Sequence, residues 1–459
     1  MSKQDKSIYK RLFSLAIPVS IGSASNILTN IADTMMLGQY NEEHMVAASL
    51  GFQVFIIPFV LMMGITIGLT ASMSKEIGQG VQPQTLTSAG IVYGILSAII
   101  CTVLLFLSNH LSWFNPNPIT VELAKPYLHW MAWSCLPVII FLTLKQYFEA
   151  YELSILTTIV SLIINLINIG LNSIFIFGGW GFEEMGAEGA GFATFISRIL
   201  CIPLFIACIA GIKKYREKIQ QEHLIIDFKK IKELIQLGLP IGFQLFIEVT
   251  AFALAGIMTG FLGTDAQGAH QIAIQLAGFT FLLASGIGSA STVLAGQFYG
   301  EQNTNKLNEL IKKTLLVILI YECSTAIILY ITKSTIPHFY LNEEAESMIT
   351  NTSILIAMAA IFQIPDGIQN IVHGLLRGMQ DVKTPTYLSI AAHWFISLLG
   401  GYLLAFSFDL GIKGVWYGMI SGLFFIAFTL LIRLRWTTRT LERKWRTKNT
   451  NFRDEHYSE

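Results

Sequence analysis

Apolar runs about 20 residues long recur along nearly the whole of this chain. That is the length at which an α-helix crosses the hydrocarbon core of a bilayer. Apolar residues make up 53% of the sequence and charged residues only 13%, against about 25% charged in soluble domains. A transmembrane β-barrel would need short alternating strands, and no such pattern is visible. The spacing predicts an all-α integral membrane protein with twelve transmembrane helices. They are placed at 12–38, 47–73, 88–110, 126–147, 154–178, 187–211, 234–262, 269–297, 311–332, 347–376, 385–408 and 412–434. The first, second, seventh, eighth and tenth exceed what a bilayer needs. The first run also outlasts a signal-peptide core.

The intervening segments sort by charge. One set is basic: Lys3, Lys6, Lys10 and Arg11 at the start; Lys213, Lys214, Arg216, Lys218, Lys229, Lys230 and Lys232 between helices six and seven; Lys306, Lys312 and Lys313 after helix eight; and Arg433, Arg435, Arg439, Arg443, Lys444 and Arg446 at the end. The alternate set, near Glu42 and Glu43, Glu183 and Glu184, Asp265, and Glu343 to Glu346, is acidic or nearly free of Lys and Arg. Positive charge stays in the cytoplasm, so both termini are expected there. Topology accounts for the basic segments, and no nucleic-acid partner is expected.

A shift of 222 residues lays 12–78 on 234–300 without a gap. Leu12, Leu15 and Pro18 meet Leu234, Leu237 and Pro240; Gln53 meets Gln275; Gly64, Thr70 and Gly78 meet Gly286, Thr292 and Gly300. Two six-helix lobes follow, with residues 1–220 in the first, 221–435 in the second, and 436–459 as a cytoplasmic tail. An even number of helices per repeat keeps orientation, so the repeat is parallel, with its axis along the membrane normal. Two such bundles around one axis suit a transporter that rocks between two states.

Ionisable side chains inside membrane helices are functional candidates by default, because the bilayer interior penalises them. Asp33 lies in helix one, Glu248 in helix seven, Glu322 in helix nine and Asp366, after Pro365, in helix ten. Neither Asp33 nor Glu248 has an acidic repeat partner: Ala255 and Asn26 stand there. Proline frees the carbonyl four residues earlier, that of Ile361, to join a cation site. Glu248 and Asp366 together offer hard oxygen ligands for a monovalent cation such as sodium, or for protons. Asn168 and Asn172, with Asn165, mark one stripe of helix five. They either glue helices together or line a cavity beside Asp33. Gln275, Glu322 and His393 are secondary candidates. Met35, Met36, Phe246 and Phe252 are candidate apolar lining. Five cysteines lie in apolar segments without a CxxC pair and read as small buried residues. No Cys/His cluster and no Walker or Rossmann glycine motif is present, so no cofactor is expected.

Taken as a set, several segments resemble the multidrug and toxic compound extrusion (MATE) family, in its NorM-type bacterial branch. They are Ile17-Pro18 through Ala32-Asp33-Thr34, Gly238-Leu-Pro240 through Phe246-Ile-Glu248, Gly268-Ala-His270-Gln271, Asn168-Ile-Gly-Leu-Asn172, and Gln363-Ile-Pro-Asp366 through Leu376-Arg377-Gly378 with Asp381. The resemblance spans essentially the whole chain. It implies a two-lobed antiporter of the MOP flippase-like fold in the bacterial cytoplasmic (inner) membrane, exporting cationic or amphipathic drugs and toxins in exchange for sodium or protons. Glu248 and Asp366 would then form the cation site. Asp33 would couple cation or drug in the first lobe, beside Asn168 and Asn172. Having both sets matches the NorM type and leans towards sodium. Glu322 and His393 depart from the family pattern. A monomer is expected, with no partner beyond membrane lipid and small-molecule substrates. The main alternative is a lipid-linked saccharide flippase, which would need a basic cleft. An intramembrane enzyme would need a catalytic set that is absent at convincing spacing.

Overall fold

The computed structural model describes residues 8–107, 118–213, 227–341 and 345–456. Lys3, Lys6, Lys214, Arg216, Lys218, Glu343 and Glu344 lie outside them. Twelve helices long and apolar enough to cross a membrane are present among the described residues, as expected. They are α1 Ile8–Tyr40, α2 Glu42–Gly78, α3 Gln84–Leu107, α4 Pro118–Ala150, α5 Ser154–Phe177, α6 Ala187–Gly211, α7 Phe228–Gly260, α8 Thr264–Gly300, α9 Thr304–Thr332, α10 Glu346–Gly378, α11 Lys383–Ser407 and α12 Gly411–His456. The only β-pairing among the described residues is a single bridge, Gly179 with Phe182.

The ends of the helices depart most from the sequence reading. Helix α4 begins at Pro118 rather than 126, and Pro126 lies inside it. Proline tolerates a first turn, so Pro126 imitates a start. Lys229, Lys230 and Lys232 lie in the first turns of α7 rather than in a loop. Helix α12 runs on through the basic segment to His456. Hydropathy fades after 434, but Leu434, Leu441 and Trp445 keep a helical stripe that packs on the core, and period rather than mean hydropathy decides helix continuation. Of the cysteines, Cys101, Cys135 and Cys201 are buried, Cys208 is half-buried and Cys323 is exposed.

Asp381, between α10 and α11, pins this extended helix. Arg433 donates to it twice, at 2.7 and 3.1 Å, and the Thr437 hydroxyl donates at 2.9 Å. Each hydrogen bond to a charged group contributes about 1.5–3 kcal/mol. Asp381→Ala is therefore expected to lower the melting temperature of the purified protein, and adding Arg433→Ala should lower it little further, because the two groups act as one. A double-mutant cycle by thermal unfolding checks this.

The chain forms two compact units. One comprises 1–17, 74–81 and 247–459, and the other 18–73 and 82–246. In the first, α8 and α10 pack most closely, with Gly288 and Gly374 letting the backbones touch: a Cβ on Gly374 would stand 2.3 Å from the Gly288 carbonyl oxygen. Helix α11 carries two wide-turn stretches, Ala391–Leu399 and Leu403–Ser407. They lie against Gly414, Gly418 and Gly422 of α12, where a Cβ would collide with α11 at each position. A face stripped of side chains is what allows the wider coil to approach. In the second unit, Gly64 and Gly68 of α2 meet Gly242 and Gly238 of α7 in the same manner.

Candidate functional site

Each unit buries its own polar centre. In the second unit a cavity of about 290 Å³ opens among α1, α2, α4, α5 and α6. Asp33 of α1 lines it, with Asn165 and Asn168 of α5, Thr194, Ser197 and Arg198 of α6, and Lys145 of α4. The Asn172 amide donates to Asp33 at 2.5 Å and to the Asn168 carbonyl oxygen at 3.4 Å. Asn168 in turn donates to the hydroxyls of Ser197 at 3.3 Å and Thr194 at 3.4 Å. Asp33, Asn168 and Asn172 are thus brought into one relay. Asn165 does something different, donating to Ser25 and Asn26 of α1, which is the helix-gluing role.

The walls of this cavity are Phe52, Phe55, Phe59, Met63, Tyr127 and Phe141 among others. None of Met35, Met36, Phe246 and Phe252 lines it. Met35 is exposed, and Phe252 packs on Phe362 and His393. The aromatic wall comes instead from α2, where Phe52, Phe55 and Phe59 fall at helical spacing.

In the first unit the centre lies around α10. Asp366 is buried, and Glu248 of α7 and Glu322 of α9 are both near enough for their charges to act on it. Glu248 accepts a hydrogen bond from the Gln369 amide at 2.9 Å and feels the charge of Arg377. Glu322 is 1% exposed. It lies against Gly367, where a Cβ would stand 2.4 Å from its Oε1, and the Thr325 hydroxyl reaches it at 3.4 Å. Gln363 donates to the Glu322 carbonyl oxygen at 3.4 Å. Helix α10 itself runs unbroken through Pro365.

One pattern on α10 bears on ion chemistry. Gln363, Asp366 and Gln369 are three residues apart, so they share a face. Each keeps a buried side-chain oxygen, Gln363 Oε1, Asp366 Oδ1 and Gln369 Oε1, with no hydrogen-bond donor among the described residues. Buried acceptors are ordinarily satisfied, and hard oxygens of this kind suit a hard cation. No group of three or more His, Cys, Asp or Glu side chains is arranged to hold a metal among the described residues. The oxygen set is a carboxylate with amide carbonyls instead.

His393 is 1% exposed, within the first wide-turn stretch of α11, and its ring meets that of Phe252 with centroids 6.0 Å apart. Its Nε2 has no partner among the described residues. Gln275 is exposed on α8 and joins neither centre. Sequence reasoning looked for carboxylates and passed over the half-buried cation of α6. Arg198, at mid-helix among Phe195, Ile196 and Ile199, carries the same signal as Asp33.

The MatE family model matches residues 18–174 and 240–403, two stretches that begin 222 residues apart, the shift of the internal repeat. A multidrug resistance protein MdtK of Edwardsiella ictaluri is 29% identical over 94% of this chain and 96% of its own length. A probable multidrug resistance protein NorM of Pasteurella multocida is 29% identical, with 93% of each chain covered. Among solved structures, the outward-facing conformation of a multidrug resistance MATE family transporter of the MOP superfamily superposes with a TM-score of 0.85 at 18% identity, covering 95% of this chain and 96% of that one. A MOP superfamily transporter from Pyrococcus furiosus, described as having a binding pocket of reverse polarity, gives 0.83 at 18% identity, covering 95% and 97%. These two likenesses carry the fold. With the twelve spans, the two-part family match and relatives aligned end to end, the chain belongs to the MatE family of multi-pass membrane transporters.

Proposed function

We propose that this protein is a multidrug efflux antiporter of a bacterial inner membrane. It exports cationic or amphipathic organic compounds in exchange for sodium, or protons in its place, by alternating access. Both termini lie in the cytoplasm, and the protein works as a monomer. The observation that carries this reading is the run of donorless oxygens on Gln363, Asp366 and Gln369, with Glu248 and Glu322 beside them. Such oxygens are tolerable inside a membrane protein when a cation visits them. The names of the aligned relatives, multidrug resistance proteins, supply the substrate class.

A cation that binds one state better than the other shifts the equilibrium between them. Each positive charge entering an inside-negative cell gains about 2.3 kcal/mol per 100 mV, and that gain drives the cargo outward. The aromatic cavity at Asp33 supplies the cargo site, and the α10 centre supplies the ion site. Transport in proteoliposomes with independently imposed sodium and proton gradients tests this. Efflux of a fluorescent amphiphile is expected to follow one imposed gradient. Efflux indifferent to both would overturn the coupling.

A further inference from the structure

A second cavity, of about 620 Å³, lies where the ends of α2 and α8 meet the extended part of α12, all within one compact unit. That is the size of a small-molecule site. All seven of its lining side chains carry an N–H or O–H donor, and none is a carboxylate. Two of them are lysines, Lys75 of α2 and Lys444 of α12. Among the described residues no carboxylate forms an ion pair with either. The acidic neighbours are engaged elsewhere: Glu301 with Lys306 at 2.9 Å, and Glu442 as acceptor from the Asn308 amide at 2.6 Å. Glu76 does not line the cavity. The walls are held by packing. The Lys75 carbonyl oxygen lies directly against Gly300, and Trp445 is buried with its ring on that of Tyr299, centroids 5.8 Å apart. Both lysines therefore stand on fixed backbone and share one space.

We propose that this cavity binds a phosphate-bearing anion, whose oxygens accept from Lys75 and Lys444 together and from the Gln79 and Gln302 amides beside them. Two like charges in one space repel, and a doubly charged anion between them turns that repulsion into two attractions. Lysine suits phosphate as a point charge on a flexible stem, so the two side chains can close on the anion from opposite walls. A cation finds no carboxylate there to receive it. The volume leaves room for an organic body on the phosphate, which a soluble organic phosphate and a phospholipid headgroup both have. On the orientation proposed above, the cavity opens to the cytoplasm. An anion gripped by both lysines ties α12 to the junction of α2 and α8. The inference does not rest on the efflux reading, because it concerns a site apart from both polar centres.

The probe is pyrophosphate as its potassium salt, titrated by calorimetry into the purified full chain in phosphatidylcholine nanodiscs. Potassium keeps the proposed sodium site out of the measurement. Saturable binding is expected. Lys75→Gln and Lys444→Gln should each weaken it about tenfold, and the double variant further still. Neither lysine is buried, and glutamine keeps a donor, so the variants should stay monodisperse. Lys306→Gln is the comparison: it removes a nearby charge that has its own counter-ion and does not line the cavity, and its affinity should equal that of the wild type. A second set of discs, containing phosphatidylglycerol, separates the two sources. The ratio of wild-type to Lys444→Gln affinity cancels the general field of the lipid. If a headgroup fills the cavity, that ratio collapses towards one; if the natural ligand is a soluble phosphate, it persists. No saturable binding to the wild type in phosphatidylcholine, or equal binding by the double variant, overturns the inference.

Discussion

Asp366→Asn is expected to lower ion-driven efflux at least a hundredfold while leaving the protein folded and monodisperse. The substitution preserves shape and replaces an ionisable carboxyl with a neutral amide. Its Oδ1 has no donor among the described residues, so no internal hydrogen bond to that oxygen is lost. What is lost is the charge that attracts a cation, in a setting where attraction is strong because water is scarce. A hundredfold change corresponds to about 2.7 kcal/mol, which is modest for removing a unit charge from such a site. Glu248→Gln should fall in the same direction but less far, because Glu248 is half-buried and already engages Gln369 and Arg377. Gln275→Ala serves as the comparison: its side chain is exposed and joins neither centre, and its efflux should equal that of the wild type. Efflux of a fluorescent amphiphile from proteoliposomes under an imposed cation gradient measures all three. Full gradient-driven efflux by Asp366→Asn would remove the carboxylate from the ion site.

The fold was legible because the bilayer imposes a hard rule. Backbone polar groups must be satisfied within the membrane, so apolar length alone marks helices, and the twelve expected are present among the described residues. The helix ends were not legible, since they lie in water, where that rule lapses. Pro126 looked like a start, and the Arg-rich stretch after Ile432 looked like a tail although Leu441 and Trp445 continue a packed stripe. The polar residues divided in the same way. Asp33, Glu248, Glu322 and Asp366 announced themselves by their cost in lipid. Gln363 and Gln369 did not, because an amide in a membrane helix is ordinary glue, and only the geometry shows that their oxygens lack donors. Arg198 was equally expensive and equally visible. It was missed because a search for cation ligands looks only for anions. The wide turns of α11 leave no mark in composition, whereas the glycines that accommodate them, Gly414, Gly418 and Gly422, stand four apart in plain sight.

Gly78 and Gly300, at the ends of α2 and α8, are expected to reject any larger residue, and the reason lies in the repeat. A Cβ on Gly78 would stand 2.0 Å from the carbonyl oxygen of Gln297, and one on Gly300 would stand 2.1 Å from that of Lys75. The 222-residue shift carries Lys75 onto Gln297 and Gly78 onto Gly300. The contact therefore maps onto itself: equivalent helix ends of the two repeats meet backbone to backbone, each glycine admitting the other's carbonyl. All four residues belong to one compact unit. No rotamer change relieves a clash with backbone, so the helix ends must separate, and overpacking of this kind costs about 1–3 kcal/mol. On the alternating-access reading these ends meet in one state and part in the other, so the cost falls on one state only. A penalty of about 3 kcal/mol shifts a two-state ratio by about a hundredfold. Gly300→Val should therefore slow proteoliposome efflux more than tenfold, and Gly78→Val should match it. The double variant should be scarcely worse than either, because the first side chain already holds the ends apart. Gly170→Ala, where an added Cβ meets nothing within 4 Å, should transport normally. A wild-type rate for Gly300→Val would mean that the close meeting of these ends plays no part in the cycle, and an additive double variant would mean that the two glycines act at separate contacts.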